Sequence, residues 1–241
     1  MVLAVLLALV VPGSASSEPE ETDPWEGFNR KIFRFNDTVD TYFFEPLAKG
    51  WSFVMPEIMM ESIGRAVDNA RLPIHLLNDL LQGKPRAGFD TVSRFLLNST
   101  LGAGGLFDPA GRIGLNPHRE DFGQTLGRWG YRDSAYVMLP LLGPSTVRDT
   151  IGLAVDSPAA VWPYFVGLPI SLGIRGGTAV NSRALILEEL ESAKKGALDY
   201  YALVRNAYIQ HRDAEIADSI SADEDEEETE SEEDLYYLDE Q

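Results

Sequence analysis

Apolar positions in the first part of the chain recur at helical spacing. Phe28, Ile32, Phe35, Val39 and Phe43 follow one another at steps of four, three, four and four, which is a single helical face. Asp23 as N-cap, Pro24 at the first helical position and Glu26 three residues after the cap predict where that helix starts. Pro56 is expected to open a second helix with Ile58, Ile63 and Val67 turned inward. Pro73 is expected to open another, ending near Gly83 and carrying Leu76, Leu77, Leu80 and Leu81. A fourth should run from Pro85 to about Thr100.

The pattern changes from Leu101 to Pro144, where glycine and proline are frequent and segments become short. A short helix is expected around Asp121–Trp129, aligning Phe122, Leu126 and Trp129. Another should follow Ser145, a good N-cap, through Val155. Thr178 to about Ile220 reads as one long helix bent at Gly196, ~60 Å end to end at ~1.5 Å per residue. No segment sustains a period of two, and no repeat is visible. The expected fold is therefore all-α, and a single domain, because no flexible linker divides residues 23–213.

One stretch breaks the amphipathic pattern. Ser157 to Ile174, "SPAAVWPYFVGLPISLGI", carries no charge and approaches the ~20 apolar residues that cross a bilayer as a helix. Pro158, Pro163 and Pro169 interrupt it, and each proline in a helix interior removes a hydrogen bond and adds a clash. A simple spanning helix is not expected. Two readings remain open: a re-entrant hairpin that dips into lipid, with Trp162, Tyr164 and Phe165 at the interface, or a hairpin buried in the core.

The termini differ from the middle. Met1 to Val11 is an unbroken apolar run followed by Pro12, Gly13, Ser14 and Ala15, which reads as a signal-like segment over 1–15 without a charged leader. A polar linker over 16–22 follows. From Ser221 to Gln241 there are twelve acidic and no basic residues, so most of the formal net charge of -18 sits in a tail expected to be disordered. Its sign disfavours nucleic acid as a partner. The chain has no cysteine, which removes disulfides, thiolate metal sites and cysteine nucleophiles.

Candidate chemistry is sparse. His75, His118 and His211 are the only imidazoles. His118 lies beside Glu120 and Asp121, but no second histidine stands at a ligand spacing, so a surface loop or helix start is expected there. "LGAGGLFDPAG" (101–111) lacks the ending and the preceding strand of a phosphate-binding loop, and reads as a tight corner. Glu188 and Glu189 are expected on an exposed helix face. No catalytic, metal or cofactor site is assigned, and no enzymatic activity is expected.

Four blocks carry a resemblance. "DPWEGFNRKIFRFND" (23–37), "LLQGKPRAGFDTVSRFLLNSTLGAGGLFDPA" (80–110), "EDFGQTLGRWG" (120–130) and "LPLLGPSTVRD" (139–149) resemble the hallmark blocks of the MlaA/VacJ family, in its order. "RNAYIQHRD" (205–213) is similar to the family's closing helix. The resemblance implies a ring-shaped helical domain over 23–220, embedded in the periplasmic leaflet of a Gram-negative outer membrane. A central amphipathic pore would pass mislocalised outer-leaflet phospholipid toward a soluble periplasmic lipid carrier, with a trimeric outer-membrane porin as partner and no cofactor. It places the apolar hairpin, with Trp162, Pro163, Tyr164, Phe165 and Leu168, beside the lipid path, and Asp156 and Arg175 at the pore mouth. Phe28 and Asn29, in "EGFNR", are expected to shape the ring and set how open it is; as ordinary structure, Phe28 would be core and Asn29 would cap a local turn.

Members of that family usually carry a lipidated cysteine after the signal, and this sequence has none. The ring's own embedding, retention of Met1–Val11 as an anchor, or porin binding would each hold it in place. A second function class is a porin-binding adaptor with no lipid path of its own. A third, a lipid-degrading enzyme, finds no nucleophile or metal constellation.

Overall fold

The computed structural model describes residues 23–159 and 163–217. The signal-like segment, the linker, Trp162 and the acidic tail lie outside the described residues. Helix α1 (Glu26–Val39) runs through a π-helical segment, Asp40–Phe44, into α2 (Glu45–Val54). Asp23 does not cap α1 as expected. Trp25 holds the cap position without a side-chain bond, while the Asp23 carboxylate turns into the interior.

Helix α3 (Glu57–Leu81) is continuous, so Pro73 sits inside it instead of opening a new one. The missing proline N–H removes a single bond from a ladder of 25 residues, and packing holds the rest. The helix ends where expected: Gly83 takes φ 74°, Gly83 N–H donates to the Leu80 carbonyl, and Lys84 N–H reaches back to that of Asp79. This closing pattern uses a glycine because side chains disfavour the left-handed backbone. Helix α4 (Pro85–Thr100) then packs back against α3.

The glycine-rich stretch after α4 is a corner, as its composition predicts. Gly105, at φ 93°, passes so close to Asn69 of α3 that a Cβ would collide with that side chain. Asp108 caps the single turn α5 (Pro109–Arg112), and Asp121 caps α6 (Phe122–Arg128).

A small antiparallel hairpin follows, β1 (Tyr136–Leu139) and β2 (Gly143–Thr146), which no alternation announced. Thr146, not Ser145, caps α7 (Val147–Ala159) through Asp149 N–H. Beyond lie α8 (Pro163–Leu185), α9 (Leu187–Gly196) and α10 (200–217). The long C-terminal helix is thus broken at Ile186 and again at Ala197–Asp199; Asp199 accepts from Ala202 N–H and starts α10.

Contacts among these elements close a circuit. Phe33 of α1 meets Tyr200 and Tyr201 edge-on at 5.3 and 5.5 Å. Arg212 of α10 pairs with Asp149 of α7 and Asp121 beside α6. Thr125 of α6 donates to Asn78 of α3. Asn181 of α8 donates to the Met60 carbonyl of α3, and Arg183 pairs with Asp40 after α1. The chain is a helical ring whose last helix returns to its first.

Candidate functional site

The distribution of side chains is inverted. Among the described residues, polar and charged side chains outnumber apolar ones in the buried set, and Arg148 is among the largest that are fully buried. The buried apolar residues that pack together form two small clusters, around Tyr136, Met138, Tyr201 and Tyr208, and around Ala48, Met60 and Ala184, with Leu72, Ala110, Ile186, Leu190 and Ile216 buried outside them. Large apolar side chains are outside instead: Phe53 is 91% exposed, and Tyr42, Phe89 and Leu101 are close behind. Phe28 and Phe35 on α1 and Phe43 in the π-helical segment after it are exposed, and Ile58, expected inward, is too. A water-soluble monomer rarely exposes apolar surface on this scale.

Buried charges survive because each group has partners. Asp149 accepts from Arg148 at 2.9 Å, from Arg212 at 2.8 Å and from the Tyr208 hydroxyl at 2.7 Å. Burial pushes its carboxyl up, but the guanidinium groups of Arg212 and Arg148 outweigh this and hold it well below the usual carboxylate range. Arg212 also grips Asp121 with two bonds of 2.9 Å, so one residue of α10 ties α7 to α6.

A second network joins α3, α4, α6 and α7. Lys84 pairs with Glu120 at 2.9 Å, Gln82 donates to Glu120 and Thr125, and Asn78 donates to Asp156 at 3.1 Å. Phe122 N–H also donates to Asp156 at 2.9 Å. Burial raises the Asp156 carboxyl, with these two donors opposing it. A third network centres on Asn29, which donates to Asp23 at 2.7 Å and to the Tyr136 carbonyl, and accepts from Met138 N–H at 2.9 Å. Its amide thereby extends the edge of β1. Asn36, seven residues on, repeats the arrangement with the Leu139 carbonyl and Leu141 N–H.

These positions revise several expectations. Phe28 is exposed, not core, and Asn29 bridges distant segments instead of capping a local turn. Asp156 points inward to α3 and α6 from near the end of α7, and Arg175 is exposed on α8. Pro163, Tyr164, Phe165 and Leu168 belong to the first turns of α8. That helix contains a break: Gly167 has φ 71° and ψ 161°, a region only glycine occupies at ease. Ile170, Leu172 and Ile174 beyond it are exposed. Among the described residues no helix is long and apolar enough to cross a membrane, and no three His, Asp or Glu side chains converge as metal ligands.

Asp149, Arg148, Arg212 and Tyr208 were not singled out from the sequence. The available signal was the spacing of Arg205, Tyr208 and Arg212 at steps of three and four, an unusually polar face for a buried helix.

A ring of helices with a bonded polar interior and an apolar exterior defines a protein built to lie against lipid. The chain belongs to the MlaA lipoprotein family, whose model matches residues 21–215. It is 33% identical over 221 residues to the intermembrane phospholipid transport system lipoprotein MlaA of Escherichia coli, covering 88% of this chain and 86% of that one. The corresponding protein of Haemophilus influenzae is 32% identical over 225 residues, 89% of each chain. A Rickettsia bellii protein is 35% identical over 198 residues, 82% of this chain and 78% of its own. A solved structure concerned with the maintenance of bacterial outer membrane lipid asymmetry superposes with a TM-score of 0.71 at 34% identity, covering 80% of this chain and 98% of that one.

Proposed function

We propose that this protein maintains outer-membrane lipid asymmetry by letting phospholipid that has strayed into the outer leaflet pass back toward the periplasm. The observation that carries the reading is the inverted ring: apolar residues outside, charged and hydrogen-bonded residues inside. Such a ring lies in one leaflet with its exterior in acyl chains, the periplasmic leaflet being the one from which lipid leaves. A phospholipid needs an amphipathic path, because each polar head-group atom left unpaired in hydrocarbon costs ~2–7 kcal/mol. The apolar hairpin of residues 157–174 supplies surface for the tails, and the paired polar networks between the helices hold the ring open around the path.

On this reading Trp162, Pro163, Tyr164, Phe165 and Leu168 line the lipid's way past the hairpin. Asp156 and Arg175 stand at the mouth, and Asn29 sets the opening through its hold on β1, with Phe28 facing lipid. The lipid is handed to a soluble periplasmic carrier, and a trimeric porin anchors the ring laterally. No covalent chemistry is required.

The test replaces Tyr164 and Phe165 with aspartate in the chromosomal gene. Phospholipid should accumulate in the outer leaflet while the porin copurifies as before. Unchanged lipid distribution with the porin still bound would remove the conduit, and joint loss of both would point to a porin adaptor.

A further inference from the structure

The turn joining β1 to β2 has no part in the circuit of helices, yet it is built with unusual care. Its sequence, Leu139 to Pro144, reads "LPLLGP" and contains no charged or hydrogen-bonding side chain. Leu141 and Leu142 at its tip are 63% and 54% exposed. Leu141 holds φ at 61°, a left-handed backbone that branched and bulky side chains resist and that Gly or Asn would adopt more readily. A backbone under this strain persists only where its surroundings impose it. Here Asn36 imposes it, donating to the Leu139 carbonyl at 2.9 Å and accepting from Leu141 N–H at 2.8 Å.

The polar groups of this turn are also reduced. Pro140 and Pro144 have no N–H and Leu141's goes to Asn36, so three of the six positions from Leu139 to Pro144 offer no free donor. In water such economy serves no purpose, because solvent satisfies a turn. In hydrocarbon every unsatisfied backbone group costs several kcal/mol, so each donor lost to proline or paired with Asn36 lowers the cost of placing this turn in lipid. The turn is fastened through Asn36 to α1, a helix that also carries the exposed Phe28 and Phe35.

We propose that the β1–β2 turn is a lipid-inserting wedge, with Leu141 and Leu142 held in the acyl layer by Asn36. The proposal rests on the reading of the ring as lipid-embedded and adds a specific depth anchor to it. Burying one leucine in an apolar phase favours insertion by roughly tenfold to a hundredfold.

Because the full chain lacks cysteine, single probes are unambiguous. Leu142→Cys and, as a control on α2, Phe53→Cys would each carry an environment-sensitive fluorophore in vesicles of phosphatidylethanolamine and phosphatidylglycerol. The expected result is blue-shifted emission at both sites, quenched by acyl-chain nitroxides and shielded from aqueous iodide. A lipid signal at 53 with a water signal at 142 would overturn the wedge and leave the embedding intact. Water signals at both would overturn the embedding and the wedge together. Leu141→Asn, which suits the left-handed backbone, should leave the thermal midpoint unchanged or higher and move the probe at 142 toward water. An unmoved probe in that variant would contradict a role for Leu141.

Discussion

Asn29 and Phe28 are neighbours with opposite tasks. Asn29 is fully buried and satisfies Asp23, the Tyr136 carbonyl and Met138 N–H with one amide. Asn29→Ala leaves those groups unpaired at ~1–3 kcal/mol for each buried one, so it should lower stability in detergent by several kcal/mol. Phe28→Ala removes a side chain already outside, and should change stability by no more than ~0.5 kcal/mol. Thermal unfolding of the detergent-solubilised variants compares the two directly.

Asp149 makes a pH-dependent prediction of definite sign. Its folded carboxyl titrates below the unfolded value of about 3.9, so the folded state releases this proton more readily than the unfolded chain. The stability it contributes is complete above about pH 5 and is lost as pH falls through about 4 toward the folded value. Asp149→Asn should lose ~3–5 kcal/mol at neutral pH, because Arg148 and Arg212 remain buried without their shared carboxylate. Its unfolding midpoint should fall less steeply than the wild type's below pH 4; parallel curves would assign the acid sensitivity to other carboxylates.

Among the elements, α8 is the one whose backbone departs furthest from its class. Gly167→Ala meets open space but an unsuitable φ and ψ, and should cost ~1–3 kcal/mol through the backbone alone. Gly173→Ala and Gly176→Ala also meet open space, in ordinary helix, and should each stabilise by ~0.5–1 kcal/mol. Thermal midpoints of the three variants separate a required break from dispensable glycines. Much of this architecture was legible in the sequence: the bounds of α4 and α6, the end of α3 near Gly83, and the glycine corner. Other parts were hidden for physical reasons. Periodicity shows that Phe28, Phe35 and Phe43 share a face, but a stripe packed on a core and a stripe packed on lipid have the same period. Pro73 looks like a helix start because the rule that places proline at first turns has no knowledge of packing against α4. The β hairpin escaped notice because Pro144 and Gly143 occupy strand positions where alternation would otherwise show. Two of Asp149's partners, Tyr208 and Arg212, lie 59 and 63 positions away on α10, and no local pattern encodes that meeting.

At the scale of the molecule, the polar interior and apolar exterior make one arrangement that has meaning only in lipid. Removing detergent from the purified protein should drive it into aggregates at neutral pH, and sedimentation would show this at once; a stable soluble monomer would contradict the outward placement of Phe53, Phe89 and Leu101. The chain belongs to the MlaA lipoprotein family, and the proposed passage of phospholipid rests on the inverted ring. The most direct measurement is the phospholipid content of the outer leaflet in cells lacking this gene, with and without the gene restored. The account predicts accumulation that restoration reverses. An outer leaflet unchanged by the loss, in cells holding no second copy of the gene, would contradict it.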